Sequence, residues 1–311
     1  MSMYFGATTW PFKWAPPYEE AILRVAKLGF KSTELTIWDT KYIEEYYTPT
    51  KNRELAQMIK DEGMVLSEIF FVIPGMGSED ATVRAKAVQE FQRVLDVAEQ
   101  LGTQIVNTCT AYPFDIEFPL IFDKPLKQEW QVDLPGDRDW KKNYFDQIDV
   151  LRQFAQSCEK RNMRFVLEPH PWRLMHNAAG MLRIIDHVQS PAIGMNCDPS
   201  HLFPMGEIPH QVVYEVGDRI FHVHCSDNDG QTNVHWRPGK GNVDWVAFVK
   251  ALNDIGYNGP LSIELEDVPG AAGYPGIGRV PTSSDMIDRE YAKAKDFLAR
   301  CCEEAGVKID S

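Results

Sequence analysis

Apolar residues along the chain follow two alternating spacings. Eight short runs rich in β-branched and aromatic residues, at 4–10, 32–38, 65–73, 105–110, 164–170, 192–198, 220–227 and 261–267, read as strands. Between them, apolar residues recur at helical spacing, most clearly at 19–28, 52–62, 80–101, 140–160, 181–188 and 245–255, and a last helix is expected over 285–304. Leu28-Gly29-Phe30, Glu62-Gly63-Met64, Leu101-Gly102-Thr103 and Ile255-Gly256-Tyr257 each place a glycine after a helix and just before a strand. Glycine takes the left-handed conformation that ends a helix and turns the chain back into the sheet. Alternating strand and helix predicts a parallel sheet with right-handed crossovers. Eight such units predict an α/β chain folded as a single (β/α)8 TIM barrel, one domain over 1–311. An open doubly wound sheet is the alternative. That fold would carry a glycine-rich phosphate loop after its first strand, and ATTWPFKW is not one.

Two segments exceed simple connectors: 111–139, with Tyr112, Phe114, Phe118, Phe122 and Trp130, and the Gly- and Pro-rich 267–282. Both follow strands and so belong to the C-terminal face, where barrels build active sites. Long loops there serve as lids, subunit contacts or plain surface excursions.

The same face receives the chemistry. Glu168, Asp198, His224 and Glu264 each end a separate strand-like run: RFVLE, AIGMNCD, IFHVH and LSIE. In a closed barrel these ends converge, and three carboxylates meeting one imidazole repel one another unless a divalent cation sits among them. An oxygen-rich set with one imidazole suits Mn2+, Mg2+ or Co2+ better than structural zinc. Mn2+ is the expected ion, with Zn2+ a further alternative. Such a site polarises a carbonyl and acidifies the neighbouring C–H. Glu168 and Glu264, at opposite ends of the set, are the natural acid–base pair.

Bulk properties narrow the partners. The formal net charge of −13 argues against nucleic acid. The six cysteines show no zinc-type spacing and read as buried free thiols of a reducing compartment. The start MSMYFGATTW lacks a signal-peptide pattern, and no apolar run is long enough to span a membrane, so a cytoplasmic protein is expected.

Taken together, Glu168 in VLEPH, Asp198 and His201 in CDPSH, His224 in HVHCSD, Glu264 in YNGPLSIELE, and PGKGNVDW at 238–245 make the chain resemble the xylose-isomerase-like barrels. Within that group the chain resembles in particular the sugar phosphate isomerase/epimerase and ketose 3-epimerase proteins. The resemblance implies metal ligation by Glu168, Asp198, His224 and Glu264. It also implies proton transfer by Glu168 and Glu264 on the two faces of an enediolate, and a substrate hydroxyl held by His201. The ketose 3-epimerases carry an arginine shortly after the strand-seven histidine. Here SDNDGQTNVHWRPGKG offers only His235 or Arg237 for that role. EPHPWRLMHN also departs from the pattern, placing His170, Trp172 and His176 near the glutamate.

Further residues carry weaker signals. His170 shares the strand side of Glu168 and is read as a substrate contact or a rim hydrogen bond. Glu34 in STELTIW is read as a substrate or outer-layer group, or as part of a buried network. Trp10, Trp38 and Phe71 form an apolar wall for sugar carbons or plain core. Glu266 shares the facing of Glu264 but lies further out, and His222 is read as buried and turned toward the helices. For a phosphate, Arg237, Lys240 and Arg279 are the candidate cations.

The expected function is metal-dependent isomerisation or epimerisation of a keto-sugar or polyol derivative, and the surface loops leave room for a dimer or tetramer. One alternative is a lyase or dehydratase acting on 3-keto sugars or their glycosides, some relatives of that kind having a small partner subunit. Another is a barrel that only binds sugar or metal. An apurinic-site endonuclease would need further histidines and a basic face.

Overall fold

A computed structural model of the chain describes residues 2–116, 136–271 and 284–310. The aromatic positions Phe118, Phe122 and Trp130, the cation Arg279 and most of the two long loops lie outside the described residues. Eight parallel strands close on themselves: β1 (Met3–Thr8), β2 (Ser32–Ile37), β3 (Val65–Phe71), β4 (Ile105–Cys109), β5 (Arg164–Glu168), β6 (Ile193–Cys197), β7 (Ile220–Cys225) and β8 (Pro260–Ile263). β1 pairs with both β8 and β2, which removes any free edge and makes the sheet a (β/α)8 barrel. A short β9 (Ile309–Asp310), which the apolar pattern does not predict, adds beside Met3 and Tyr4 of β1.

Helices surround the sheet. They are α1 (Glu19–Lys27), α2 (Tyr42–Glu45), α3 (Pro49–Asp61), α4 (Ala81–Leu101), α5 (Trp140–Lys160), α6 (Ala178–Val188), α7 (Pro199–Leu202), α8 (Pro209–Val216), α9 (Trp245–Asp254) and α10 (Ser284–Glu304). The seam logic holds at α4. Asp80 caps its N-terminus by accepting from the Thr82 amide at 2.7 Å, and Gly102 ends it at φ +84°.

Strand side chains alternate between two environments. Leu35, Ile69, Phe71, Phe165, Leu167 and Val223 face outward into the core between sheet and helices. There Phe91 of α4 stacks on Phe154 of α5 with ring centroids 3.9 Å apart. Phe71 belongs to this outer core and not to the site, while its neighbour Phe70 points the other way. The inward positions are polar where barrels usually carry branched aliphatics: Glu34, Glu68, Asn107, Asn196, His222 and Ser262 are all fully buried. His222 therefore faces the barrel interior, not the helices, because residues two apart on a strand share a face and it accompanies His224.

The parallel register breaks twice. Thr33 and Glu34 pair with Leu66 and Glu68, leaving Ser67 as the extra residue, and Met195 and Asn196 pair with Ile220 and His222, leaving Phe221. Gly194 permits the second irregularity, since a Cβ there would stand 2.4 Å from the Arg219 carbonyl oxygen.

Candidate metal centre

Glu168 is the last residue of β5, His224 lies within β7, and Asp198 and Glu264 are the first residues beyond β6 and β8. One ligand atom from each of the four lies within 4.8 Å of the others, and all four residues are buried. His224 presents Nδ1, 2.6 Å from Glu168 Oε1 and 3.3 Å from Glu264 Oε2. Glu168 Oε1 also accepts from Asn196 Nδ2 at 2.9 Å. Glu264 Oε1 accepts from Trp10 Nε1 at 2.8 Å, and Asp198 Oδ1 accepts from the Ser200 amide and hydroxyl at 2.7 and 2.8 Å.

The second oxygens of Asp198 and Glu264 are buried and accept no hydrogen bond. A buried carboxylate oxygen without a donor carries a desolvation cost of about 1–3 kcal/mol or more. Two of them converge beside Glu168 and His224. Oxygen-rich, buried and short of donors, the set fits a hard or borderline divalent cation.

The electrostatics of the protein alone point the same way. Burial disfavours charge on His224, but Glu264, Glu168 and Glu34 outweigh it and hold the imidazole well above its ordinary pKa. Burial pushes the Glu168 carboxyl up, partly offset by His224. Burial also opposes ionisation of Asp198, yet His201 and His235 bring its pKa below the usual carboxylate range. His201 is lowered to about 4, mainly by burial.

A cavity of about 570 Å3 opens over the cluster, with Glu168, His170, His201, His235, Glu264 and Glu266 on its polar side. His201 and His235 face each other with Nε2 atoms 3.3 Å apart, 3.6 and 3.5 Å from Asp198 Oδ2. His201 Nδ1 is held by Asn233 Oδ1 at 2.8 Å, and the His170 ring packs 4.2 Å from that of His201. Trp10, Trp14, Trp38 and Phe70 supply an aromatic lining, the Trp14–Trp38 and Trp38–Phe70 centroids being 4.9 and 5.0 Å apart.

Two of the expected substrate contacts sit elsewhere. Arg237 turns away to pair with Glu290 of α10 at 3.0 Å, because it falls beyond the Asp227–Trp236 bridge that folds this segment back. Glu34 lies one layer below the ligands, with Oε2 3.0 Å from His224 Nε2. Lys240 rests over the Trp236 ring, and His176 Nδ1 faces the Arg173 carbonyl. Sequence reasoning passed over Asn196, Glu68, Phe70 and Arg173. Glu68 in VLSEIFF carried the same signal as Glu34, and Asn196 shares the strand side of Asp198. Arg173 lines the cavity, with its guanidinium over the Tyr112 ring and Nη1 on the Thr110 carbonyl at 2.8 Å.

A family model described as xylose isomerase-like TIM barrel matches residues 22–290. The chain is 24% identical over 255 residues to a 3-dehydroshikimate dehydratase of Pseudomonas putida, covering 79% of this chain but only 35% of that protein. It is 21% identical over 260 residues to a D-psicose 3-epimerase of Enterocloster bolteae, covering 82% of this chain and 79% of that one. Among solved structures, D-psicose 3-epimerase with D-tagatose from Clostridium cellulolyticum H10 superposes with a TM-score of 0.74 at 20% identity, over 96% and 99% of the two chains. At this identity the superposition establishes a common fold.

Proposed function

The chain belongs to the xylose isomerase-like TIM barrels, and from that premise we propose that it is a divalent-metal-dependent isomerase or epimerase of a keto-sugar or polyol derivative. The observation that carries this reading is the convergence of Glu168, Asp198, His224 and Glu264 with two buried, donorless carboxylate oxygens at the floor of a cavity. Those four residues would hold the ion, Mn2+ being the expected one. A bound divalent ion would draw in a carbonyl and the hydroxyl beside it and acidify the C–H between them.

The remaining steps belong to the chain's own side chains. One of Glu168 and Glu264 takes the proton from the carbon next to the carbonyl, and the other returns a proton to the opposite face. Asn196 steadies Glu168 at Oε1, with the Cys109 thiol on Oε2, and Trp10 steadies Glu264 at Oε1, leaving Glu264 Oε2 without a donor. His170, His201 and His235 line the polar side and would contact sugar hydroxyls, while Trp10 and Trp38 face the carbon skeleton. The likeness to a D-psicose 3-epimerase supports this reaction class.

One observation favours a second reading, elimination from a 3-keto sugar or its glycoside. A free hexose displaces on the order of 200 Å3, the liquid-volume share of about six waters. The cavity is about 570 Å3, and Trp14, Trp38 and Phe70 are among its lining residues. That wall suits an apolar substituent on the sugar. Here the abstracted proton is not returned to carbon, and the leaving group departs with a proton from a neighbouring acid. The matched dehydratase keeps this reading open.

Product analysis by NMR separates the two. The Mn2+-loaded protein is incubated with a panel of free ketoses and 3-keto glycosides. A new epimer or isomer is the expected result. Release of water or an aglycone moves the assignment to lyase, and no turnover across the panel with Mn2+ bound favours a barrel that only binds.

A further inference from the structure

Beneath the four candidate ligands, the barrel interior holds a polar layer whose hydrogen-bond directions can be assigned. Asn196 Nδ2 donates to Glu168 Oε1 at 2.9 Å, because a carboxylate only accepts. That fixes the amide, so Asn196 Oδ1 must accept from His222 Nδ1–H at 3.1 Å. On its other side His222 Nε2, which then carries no hydrogen and has no hydrogen-bond partner among the described residues, lies 3.4 Å from Glu34 Oε1, the oxygen that also receives the Ser262 hydroxyl. Glu34 Oε2 stands 3.0 Å from His224 Nε2, so that nitrogen carries a hydrogen. Nδ1 faces Glu168 and Glu264, and once an ion displaces the proton shared there, the hydrogen that Glu34 keeps on Nε2 leaves the lone pair on Nδ1.

We propose that Glu34 presents His224 to a divalent ion through Nδ1, and that His222, acting through Asn196, orients Glu168 for the same ion. The proposal rests on the metal-dependent reading above. A carboxylate on the far nitrogen of a ligating imidazole fixes its tautomer and ring orientation and raises its basicity. Here two arms serve two ligands, Glu34 acting on His224, and His222 acting through Asn196 on Glu168.

The backbone is shaped for the same purpose. Both register irregularities fall on this layer. One sets Glu34 opposite Glu68, and the other sets Asn196 opposite His222. A regular register would pair Glu34 with Ser67 and Asn196 with Phe221, moving the partner off the inward face. Glu68 completes the layer, with Oε1 accepting from Asn107 Nδ2 at 2.8 Å and lying 3.5 Å from His224 Nε2.

The test compares wild type, Glu34→Gln, His222→Asn and Asp198→Asn, using Mn2+ affinity by calorimetry, the visible absorption of the Co2+ form, and ion-free melting. Gln keeps the shape of Glu34 but removes the charge. Asn at 222 is shorter than histidine and withdraws the donor that His222 gives Asn196. Glu34→Gln is expected to fold and to bind Mn2+ about 10–100-fold more weakly with an altered Co2+ spectrum, and His222→Asn to weaken binding less. Should Glu34→Gln fail to fold, His222→Asn carries the test alone. Unchanged affinity and spectrum in the folded variants, with binding still lost in Asp198→Asn, overturns the positioning role and leaves the metal reading standing. Wild type that binds no Mn2+ overturns both.

Discussion

Asp198→Asn is the substitution whose outcome follows most directly from the geometry. Asp198 divides its work between two oxygens: Oδ1 accepts from the Ser200 amide and hydroxyl, and Oδ2 points donorless into the ligand cluster. An asparagine can keep its oxygen on Ser200, which aims an NH2 group at the cation. Turned over, it offers oxygen to the cation but sets N–H against the Ser200 amide. Either orientation loses an interaction, and the charge is gone in both. Removing an outer partner of a metal ligand already costs 10–100-fold in affinity, so at least about 100-fold is expected here. Mn2+ at 100 times the wild-type Kd adds about 2.7 kcal/mol to folding stability, whereas a 100-fold weaker variant at that concentration gains only about 0.4 kcal/mol. At roughly 2 °C per kcal/mol for a chain of this size, the wild-type Tm rises by about 5 °C and the variant's by under about 1 °C. Thermal melting with and without Mn2+ reads this out. An equal rise in both proteins would refute the placement of Asp198 in the ion site.

Other consequences follow from the same structure. His224 Nδ1 lies 2.6 Å from Glu168 Oε1, a hydrogen-bond distance, so a proton must leave when an ion takes that nitrogen. Calorimetry in two buffers of different ionisation enthalpy should therefore detect proton release on Mn2+ binding, and affinity should weaken as pH falls. Trp38→Ala should raise KM more for keto-glycosides with an apolar substituent than for free ketoses, with kcat little changed; equal effects on both would remove Trp38 from the substrate wall. Phe154→Ala removes the ring stacked on Phe91 in the outer core and should cost about 3–5 kcal/mol of stability in denaturant unfolding, while the folded variant keeps wild-type Mn2+ affinity.

The barrel was legible because four helix-to-strand seams carry their own local signal, and seams such as Leu101-Gly102-Thr103 need no tertiary context. The four candidate ligands were legible for a related reason: a polar residue ending an apolar run is conspicuous, and a parallel barrel brings all strand ends to one face. What escaped depended on facing or on weak local pattern. Phe71 and Phe70 are adjacent, and only the register decides which one meets the cavity. The interior layer hid because a barrel core is expected to be aliphatic, so Glu68 and Asn196 drew no attention beside their apolar neighbours. α8 was overlooked although Pro209 opens it and Val212, Val213 and Val216 supply its buried face. Arg237 suited a substrate contact by spacing alone, and the Asp227–Trp236 bridge that carries it to Glu290 is a long-range pairing.

The central claim is that Glu168 and Glu264 move a proton at the carbon next to a carbonyl when a divalent ion is bound. Incorporation of deuterium from D2O into a turned-over keto-sugar, followed by NMR, measures that step whether the product is an epimer or an isomer. Exchange is expected with the Mn2+-loaded protein, none after chelation, and none in Glu168→Gln or Glu264→Gln. Exchange that continues at the wild-type rate in both variants, or without the ion, would contradict the claim.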